Sequence, residues 1–405
     1  MKKANLTVVI LLITGFLIYK TKEAIGVSDN CPKGTAKQNN NYKIEVTPFN
    51  TLTLRLDSTL LIKTYTMVQY NEVLNELIVN DENFAKLLFY SLNNTDKDIL
   101  SKKVLNFSGI ARNKIQGFYY KSKDSIFLYD YSNHSLYITN SSQKLIRKMT
   151  FEDESLKRSF SKNPSLPFVS NLSPLVLRQN QIFGIGFIDG EHEKDELQGR
   201  TVRTQLDLVQ GNINYDIIYP SIYEKHNWGG SMFRSVYSCY NYDKNLYVIS
   251  FPADHNITVV NERNEITSYP AYSIKNDVCN HPLTIKKSDL RKQKRDFDVK
   301  YFLDNVSYRG IAYDKYNKLY YRFTEIPSHK KNELAKFKKN VIIVLDDAFQ
   351  YISEFELPNN LSVENFFITP NGIFFLNINN RNENIAQYEQ YKITKVNSDI
   401  TLSNK

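Results

Sequence analysis

The chain has 405 residues, 41% of them hydrophobic, with 28 tyrosines and 24 phenylalanines; that is ample core material and excludes a largely disordered chain. Its 14 glycines and 12 prolines fall below average usage and exclude collagen-like or Gly/Pro-rich architectures, so turns must rest on Asn, Asp and Ser. The net charge of +9, from 52 Lys and Arg against 43 Asp and Glu, is mild; only 286–300 (KKSDLRKQKRDFDVK) gathers basic residues, and its aspartates dilute it to a solvated loop or short helix, so no nucleic-acid partner is expected.

In chain order, Lys2 and Lys3 precede an uncharged run from Leu6 to Tyr19, and Ala24-Ile25-Gly26 sets small residues where a signal peptidase cuts. The run is shorter than the roughly 20 residues of a straight membrane-spanning helix, but Lys20 and Lys22 follow it directly. Residues 1–26 therefore read as a signal peptide or an uncleaved N-terminal anchor, 27–41 as a linker, 42–398 as the folded domain and 399–405 as a tail. The expected location is the periplasm or cell envelope, with membrane contact only through the N-terminal segment.

The three cysteines allow at most one intramolecular pair. Cys239 and Cys279, both in the folded region, are the candidates, with two buried free thiols as the alternative. Cys31 has no lipobox, because Ser28 and Asn30 occupy its key positions.

The folded region carries an internal repeat. A polar turn, usually with Asn, precedes an aliphatic-aromatic pair that opens an apolar run: Leu88-Phe89, Leu136-Tyr137, Ile182-Phe183, Leu246-Tyr247, Leu319-Tyr320 and Ile373-Phe374. Strand, tight turn and strand follow one another in FLYDYSNHSLYITN (127–140) and GIAYDKYNKLYYRFT (310–324), and a more polar returning strand comes after. Helix-like pieces are short, at Glu72 to Leu77 and Lys330 to Lys338. Four strands per unit of about 45 to 70 residues, some six times over, predict an all-β chain: a β-propeller of four-stranded antiparallel blades. Six blades are expected. Seven is the alternative, because strands within 43–70 either complete a blade or close the ring against Tyr388 to Thr394; an irregular pair of β-sandwiches is the competing architecture.

The strand YKIEV, the phrases SIFLYDYSNHSLYITN and VVNERNEI and the Tyr/Asn/Lys-rich composition resemble an uncharacterised family of exported propellers of Bacteroides-type bacteria, domain of unknown function 4221. The resemblance covers roughly residues 40 to 398. It implies a fold and an envelope location and carries no catalytic residues. Its members usually look like lipoproteins, from which this chain departs at Cys31.

No nucleophile elbow, zinc-binding pair or phosphate loop occurs. Gly184, Gly186 and Gly190 have the wrong spacing for a dinucleotide fingerprint. The acidic stretch with Asp189 and Glu191, together with Asp254, His255 and Asp314, could offer ligands to a divalent cation, although no motif implies a cofactor. In HNWGGSMFR, His226, Trp228 and Arg234 could form a ligand platform, with packing as the alternative. The functional expectation is a binding module for a protein, peptide or glycan, with a channel mouth lined by aromatics and amides. The alternative is a metal-assisted hydrolase or lactonase, for which three or more carboxylates or histidines would have to converge on the axis.

Overall fold

The computed structural model describes residues 31–32, 36–39, 41–56, 60, 62–93, 98–110, 115–152, 164–187, 197–276, 278–283, 296–328, 337–380 and 382–397. Their strands form a ring of six sheets, a six-bladed propeller. From the axis outward, blade 1 takes Val68–Asn71, Glu76–Asp81, Lys86–Ser91 and Ser101–Asn106. Blade 2 takes Gly117–Ser122, Ser125–Asp130, Ser135–Thr139 and Leu145–Thr150. Blade 3 takes Val176–Arg178, Gln181–Ile185, Thr201–Asp207 and Ile213–Ile218, and blade 4 Tyr237–Asn241, Leu246–Ser250, Asn256–Val260 and Ile266–Pro270. Blade 5 takes Ser307–Asp314, Leu319–Pro327, Lys338–Leu345 and Tyr351–Leu357.

Blade 6 takes Leu361–Thr369, Gly372–Asn377 and Ile385–Asn397, then the first strand of the chain, Tyr42–Arg55, against whose end the two-residue strand Asp98–Ile99 pairs in parallel. That strand pairs antiparallel with Ile385–Asn397 from Tyr42↔Asn397 to Arg55↔Ile385. Of the two roles open to residues 43–70, Tyr42–Arg55 closes the ring and Val68–Asn71 begins blade 1.

Burial explains the apolar runs. Second strands such as Ser125–Asp130 and Leu246–Ser250 are buried on both faces, so they read as continuous hydrophobic stretches, whereas outer strands such as Leu145–Thr150 are largely exposed. Core clusters lie between successive blades: one joins blades 1, 2 and 3, and others join 3 to 4, 4 to 5, 5 to 6 and 6 to 1. Each fully buried Leu, Ile or Phe contributes about 1.5–3 kcal/mol, so a blade is stable mainly through its neighbours.

The turns share one chemistry. Asp130, Asn241 and Asp314 end a strand and accept backbone N–H groups two or three residues on, at 2.9–3.0 Å. Four residues after each stands a left-handed residue, His134, Asn245 or Lys318, and Asn71 and Asp81 are followed in the same way by Asn75 and Ala85. Glu72 to Glu76 is thus turn and strand start, and the short helix expected there is absent because Asn71 takes the Leu74 N–H into this turn. Of the piece at Lys330 to Lys338, residues 330–336 lie outside the described residues, and Lys338 begins a strand.

Among the described residues three short helices sit in links between blades: α1 (Ser221–Lys225) and α2 (Ser231–Arg234) between blades 3 and 4, and α3 (Asp296–Asp304) between blades 4 and 5. The end of the basic stretch, 296–300, belongs to α3; 286–295 lies outside the described residues.

Of the residues read as linker, 36–39 lie along blade 5. Ala36 is buried in the core between blades 4 and 5, Gln38 bridges to Tyr351, and the Asn39 amide donates to Asp346 at 2.7 Å. Cys31 is disulfide-bonded to Cys279, and Cys239 is a free, buried thiol. The pairing expected between Cys239 and Cys279 is therefore corrected. Cys279 is taken by Cys31 of the N-terminal segment, and Cys239 stays buried on the innermost strand of blade 4.

One link closes an end of the axis. Residues 165–175, between blades 2 and 3, cross it: the Asn171 amide donates to Thr66 O and Glu364 O at 2.9 Å, and its oxygen accepts the Val68 N–H at 2.8 Å. Leu172 O accepts the Ser238 N–H at 2.9 Å. The crossing is tight enough to require glycine on an inner strand, because a Cβ at Gly310 would lie 2.2 Å from Leu172 Cδ2.

Candidate functional site

The residue types that carry most chemistry belong to structure. Asp254 and His255 form the turn between the second and third strands of blade 4. The Asp254 carboxylate accepts the Asn256 N–H at 2.9 Å, burial raises its pKa, and His255 Nδ1 lies 2.8 Å from the Tyr308 hydroxyl. The turn wraps around Arg322, which is wholly buried on the second strand of blade 5. Arg322 Nε donates to Ser250 Oγ, Nη1 to His255 O and Ala271 O, and Nη2 most closely to Asp254 O, all at 2.7–3.1 Å. The guanidinium also lies 3.8 Å from the Tyr308 ring centroid, and burial lowers its pKa to about 10. A buried protein cation thus occupies the main-chain oxygens of the Asp254–His255 turn. Asp314 caps its own turn, and its second oxygen accepts from Asn317 and Tyr321 at 2.8 Å. Asp189 and Glu191 lie outside the described residues, as do Lys2, Lys3, Leu6 and Tyr19. Among the described residues no group of three or more His, Cys, Asp or Glu side chains could hold a metal ion.

His226, Trp228 and Arg234 come together as packing. Trp228 is 2% exposed, its Nε1 donates to Ile222 O at 3.1 Å, and its ring lies 6.5 Å from Tyr223 and Phe233 and 6.0 Å from His226. Arg234 is buried, and its carbonyl accepts the Tyr219 hydroxyl at 2.7 Å. Trp228 belongs to the core between blades 3 and 4, Arg234 is buried, and His226 is half-buried with its ring edge-on to Trp228.

One space open to a ligand lies on the axis. A cavity of about 280 Å³ is lined by the inner strands of all six blades and floored by Asn171, Pro174 and Leu175 of the crossing link. Its wall is aromatic and aliphatic, with Phe118, Phe366 and Phe367, and includes the buried Cys239, whose thiol pKa burial pushes up. The deeper polar groups are spent: the Gln69 amide pairs with both backbone groups of Tyr120, at 2.8 and 2.9 Å.

The opposite end is ringed by tyrosines, Tyr70, Tyr119, Tyr240, Tyr242 and Tyr313. Tyr242 is 52% exposed, and its ring packs edge-on to Tyr240 at 4.7 Å. Tyr119 of blade 2 and Tyr242 of blade 4 perturb one another's hydroxyls across blade 3, although burial is the larger reason both pKa values are raised. Tyr313 donates to Asp243 at 2.8 Å, Asp243 pairs with Lys318, and a Lys315–Glu72 ion pair links blades 5 and 1 across blade 6. The mouth therefore offers neutral phenols and ring faces in a frame of matched charges. Such a surface can hold a ligand by apolar contact, ring stacking and hydrogen bonds.

Sequence reasoning expected aromatics and amides at a channel mouth without naming them. The signal for these tyrosines was their place at the ends of inner strands. That for Arg322 was a lone charge inside the apolar run LYYRFT.

Comparisons with known proteins agree with the architecture. The family model described as domain of unknown function (DUF4221) matches residues 41–356. A crystal structure of a DUF4221 member from Bacteroides vulgatus aligns at TM-score 0.70 and 20% identity, covering 88% of this chain and 100% of that one. A protein described as exported, from Bacteroides fragilis, aligns at TM-score 0.49 and 14% identity over 87% of this chain and 95% of its own. No curated protein matches.

Proposed function

The chain belongs to the DUF4221 family, whose function is unknown, and from that premise we propose that it is an exported binding module of the cell envelope that takes a protein, peptide or glycan ligand at the tyrosine-ringed mouth. The observation that carries this reading is the axial cavity: all six blades contribute to it, one end is floored, and its open end presents stacking surfaces and phenolic hydroxyls. The pattern of residues 1–26 supports export. So does the Cys31–Cys279 disulfide, since such bonds persist in oxidising compartments.

The test is a combined peptide and glycan array probed with the chain from residue 27 onward, alongside Tyr242→Ala and Tyr313→Ala. Ligands retained by the protein and lost by both variants, with melting temperature unchanged, are the expected result. Identical profiles for all three proteins would overturn the axial site. Fractionation of a host expressing the whole chain, with thiol alkylation of each fraction, tests location: Cys31 and Cys279 should resist alkylation, in an exported fraction.

A further inference from the structure

We infer that the mouth face carries a second, separate site, a groove over blade 6 that binds a neutral oligosaccharide. The groove holds about 730 Å³ and shares no lining residue with the axial cavity. It lies where the ring closes. The pairing of Tyr42–Arg55 with Ile385–Asn397 shifts register between Pro48 and Asn50, and Phe49, at that irregularity, is 64% exposed. Bulges of this kind re-aim a side chain, and here the side chain is a large ring on the lip of a groove.

The walls come from three blades. Asn75 and Asn317 stand in the first turns of blades 1 and 5, Asn371 in that of blade 6, and Asn50 and Gln390 on the two closing strands. The inner wall is Phe374 with aliphatic Leu52 and Ile393. Among the described residues no carboxylate lines the groove, and the one charge is Lys392, whose ammonium is 5.7 Å from the Phe49 ring centroid.

These groups select a ligand by exclusion and by fit. A cation finds no counter-charge, and a polyanion finds one exposed lysine where it would want several. Asn75 is held by the Tyr70 hydroxyl and Asn93, Asn317 Nδ2 by Asp314 and Asn50 Oδ1 by the Thr51 N–H, so each amide keeps only its remaining donor or lone pair for the vicinal hydroxyls of a sugar, while the exposed ring takes the C–H face of a pyranose. Backbone conformation tightens the site: Gly372 sits at φ +132°, and a Cβ there would meet Tyr391 O at 2.2 Å, so the blade 6 turn lies directly on the closing strand and sets Asn371 beside Gln390. The Gln390 amide donates to Asn371 O at 2.7 Å, holding that arrangement.

The experiment uses the chain from residue 27 onward on an array of neutral glycans, acidic glycans and peptides, followed by calorimetry with the best neutral hexasaccharide. Binding to neutral glycans is expected, weakened roughly tenfold or more by Phe49→Ala and by Asn371→Ala with melting unchanged, and left intact by Tyr242→Ala, which tests the axial site instead. Overturning results are no neutral glycan bound, capture of acidic glycans or peptides alone, or neutral-glycan affinity unmoved by Phe49→Ala. Loss through Tyr242→Ala with no effect of Phe49→Ala would sink the groove while sparing the axial reading.

Discussion

The Arg322 corner and the axial mouth both bring polar chemistry into the propeller, and they do so in opposite ways. At the corner, an aspartate, a histidine and an arginine are drawn together, and every guanidinium donor ends on an oxygen of blade 4. At the mouth, residues of milder chemistry surround a space that no described residue fills. Asp254, His255 and Arg322 hold blades 4 and 5 together, and phenols line the open end where a ligand is proposed to bind. Replacements at the corner should therefore cost stability and spare binding, and replacements at the mouth should do the reverse.

The largest effect belongs to the corner. Arg322→Met keeps the stem but strips donors from at least four buried carbonyls, and should cost about 3–5 kcal/mol in urea denaturation. A cost below about 1 kcal/mol would mean that the blade 4 turn is held by something else.

The cysteines repeat the contrast. Cys279→Ser releases a bond that spans a sequence separation of 248, for an expected loss of about 2–4 kcal/mol. Cys239 belongs to the cavity wall, so its slow labelling by iodoacetamide, accelerating with pH because burial raises the thiol pKa, reports on access to the cavity. Labelling of Cys239 as fast as a free thiol at neutral pH would contradict its burial.

A third replacement sharpens the structural side. Lys338 donates to Ser307 Oγ at 2.8 Å, its ammonium lies 3.5 Å from the Phe302 ring centroid, and burial lowers its pKa to about 7 from the ordinary 10.5. Arg309 opposes the charge and Glu325 favours it. Below the folded pKa both folded and unfolded chains hold the proton, and the full cost of burying the charge is present. Between about 7 and 10.5 the unfolded chain binds more protons, so this group makes stability rise with pH. Lys338→Met should abolish that rise, which is at most about 1.4 kcal/mol per pH unit. Wild type and variant with the same slope across the window would show that the lysine titrates normally.

Legibility in the sequence follows the same division. Burial between blades leaves a local trace, so the apolar runs predicted the architecture. Four of the six anchor pairs, from Ile182-Phe183 to Ile373-Phe374, fall on second strands, but Leu88-Phe89 and Leu136-Tyr137 fall on third strands. The cause is the turn: any strand end with an Asx cap and a left-handed residue four positions later looks alike, whichever pair of strands it joins. Asp314 read as a ligand because a capping carboxylate and a metal-binding one are the same residue type. Trp228 read as a platform because sequence does not reveal which side of a loop faces the core. Asn171 left no signal, since its three partners lie more than a hundred residues away.

The smallest expected change in stability is the one that decides the comparison. Tyr242 follows the last residue of its strand, is half exposed, and stands among turn residues whose backbone is fixed by Asn241, which accepts the Asp243 and Lys244 N–H groups at 2.9 and 3.0 Å. Removing its ring leaves that turn intact and forfeits the edge-on contact with Tyr240 and the hydroxyl contact with Tyr119, so Tyr242→Ala should cost about 1 kcal/mol. The same change takes away the most exposed stacking surface of the mouth, and ligand binding there should weaken roughly tenfold or more while the urea midpoint barely moves. A destabilisation matching that of Arg322→Met would make the mouth one more piece of scaffold, and the division between blade-holding charge and ligand-facing phenol would fail.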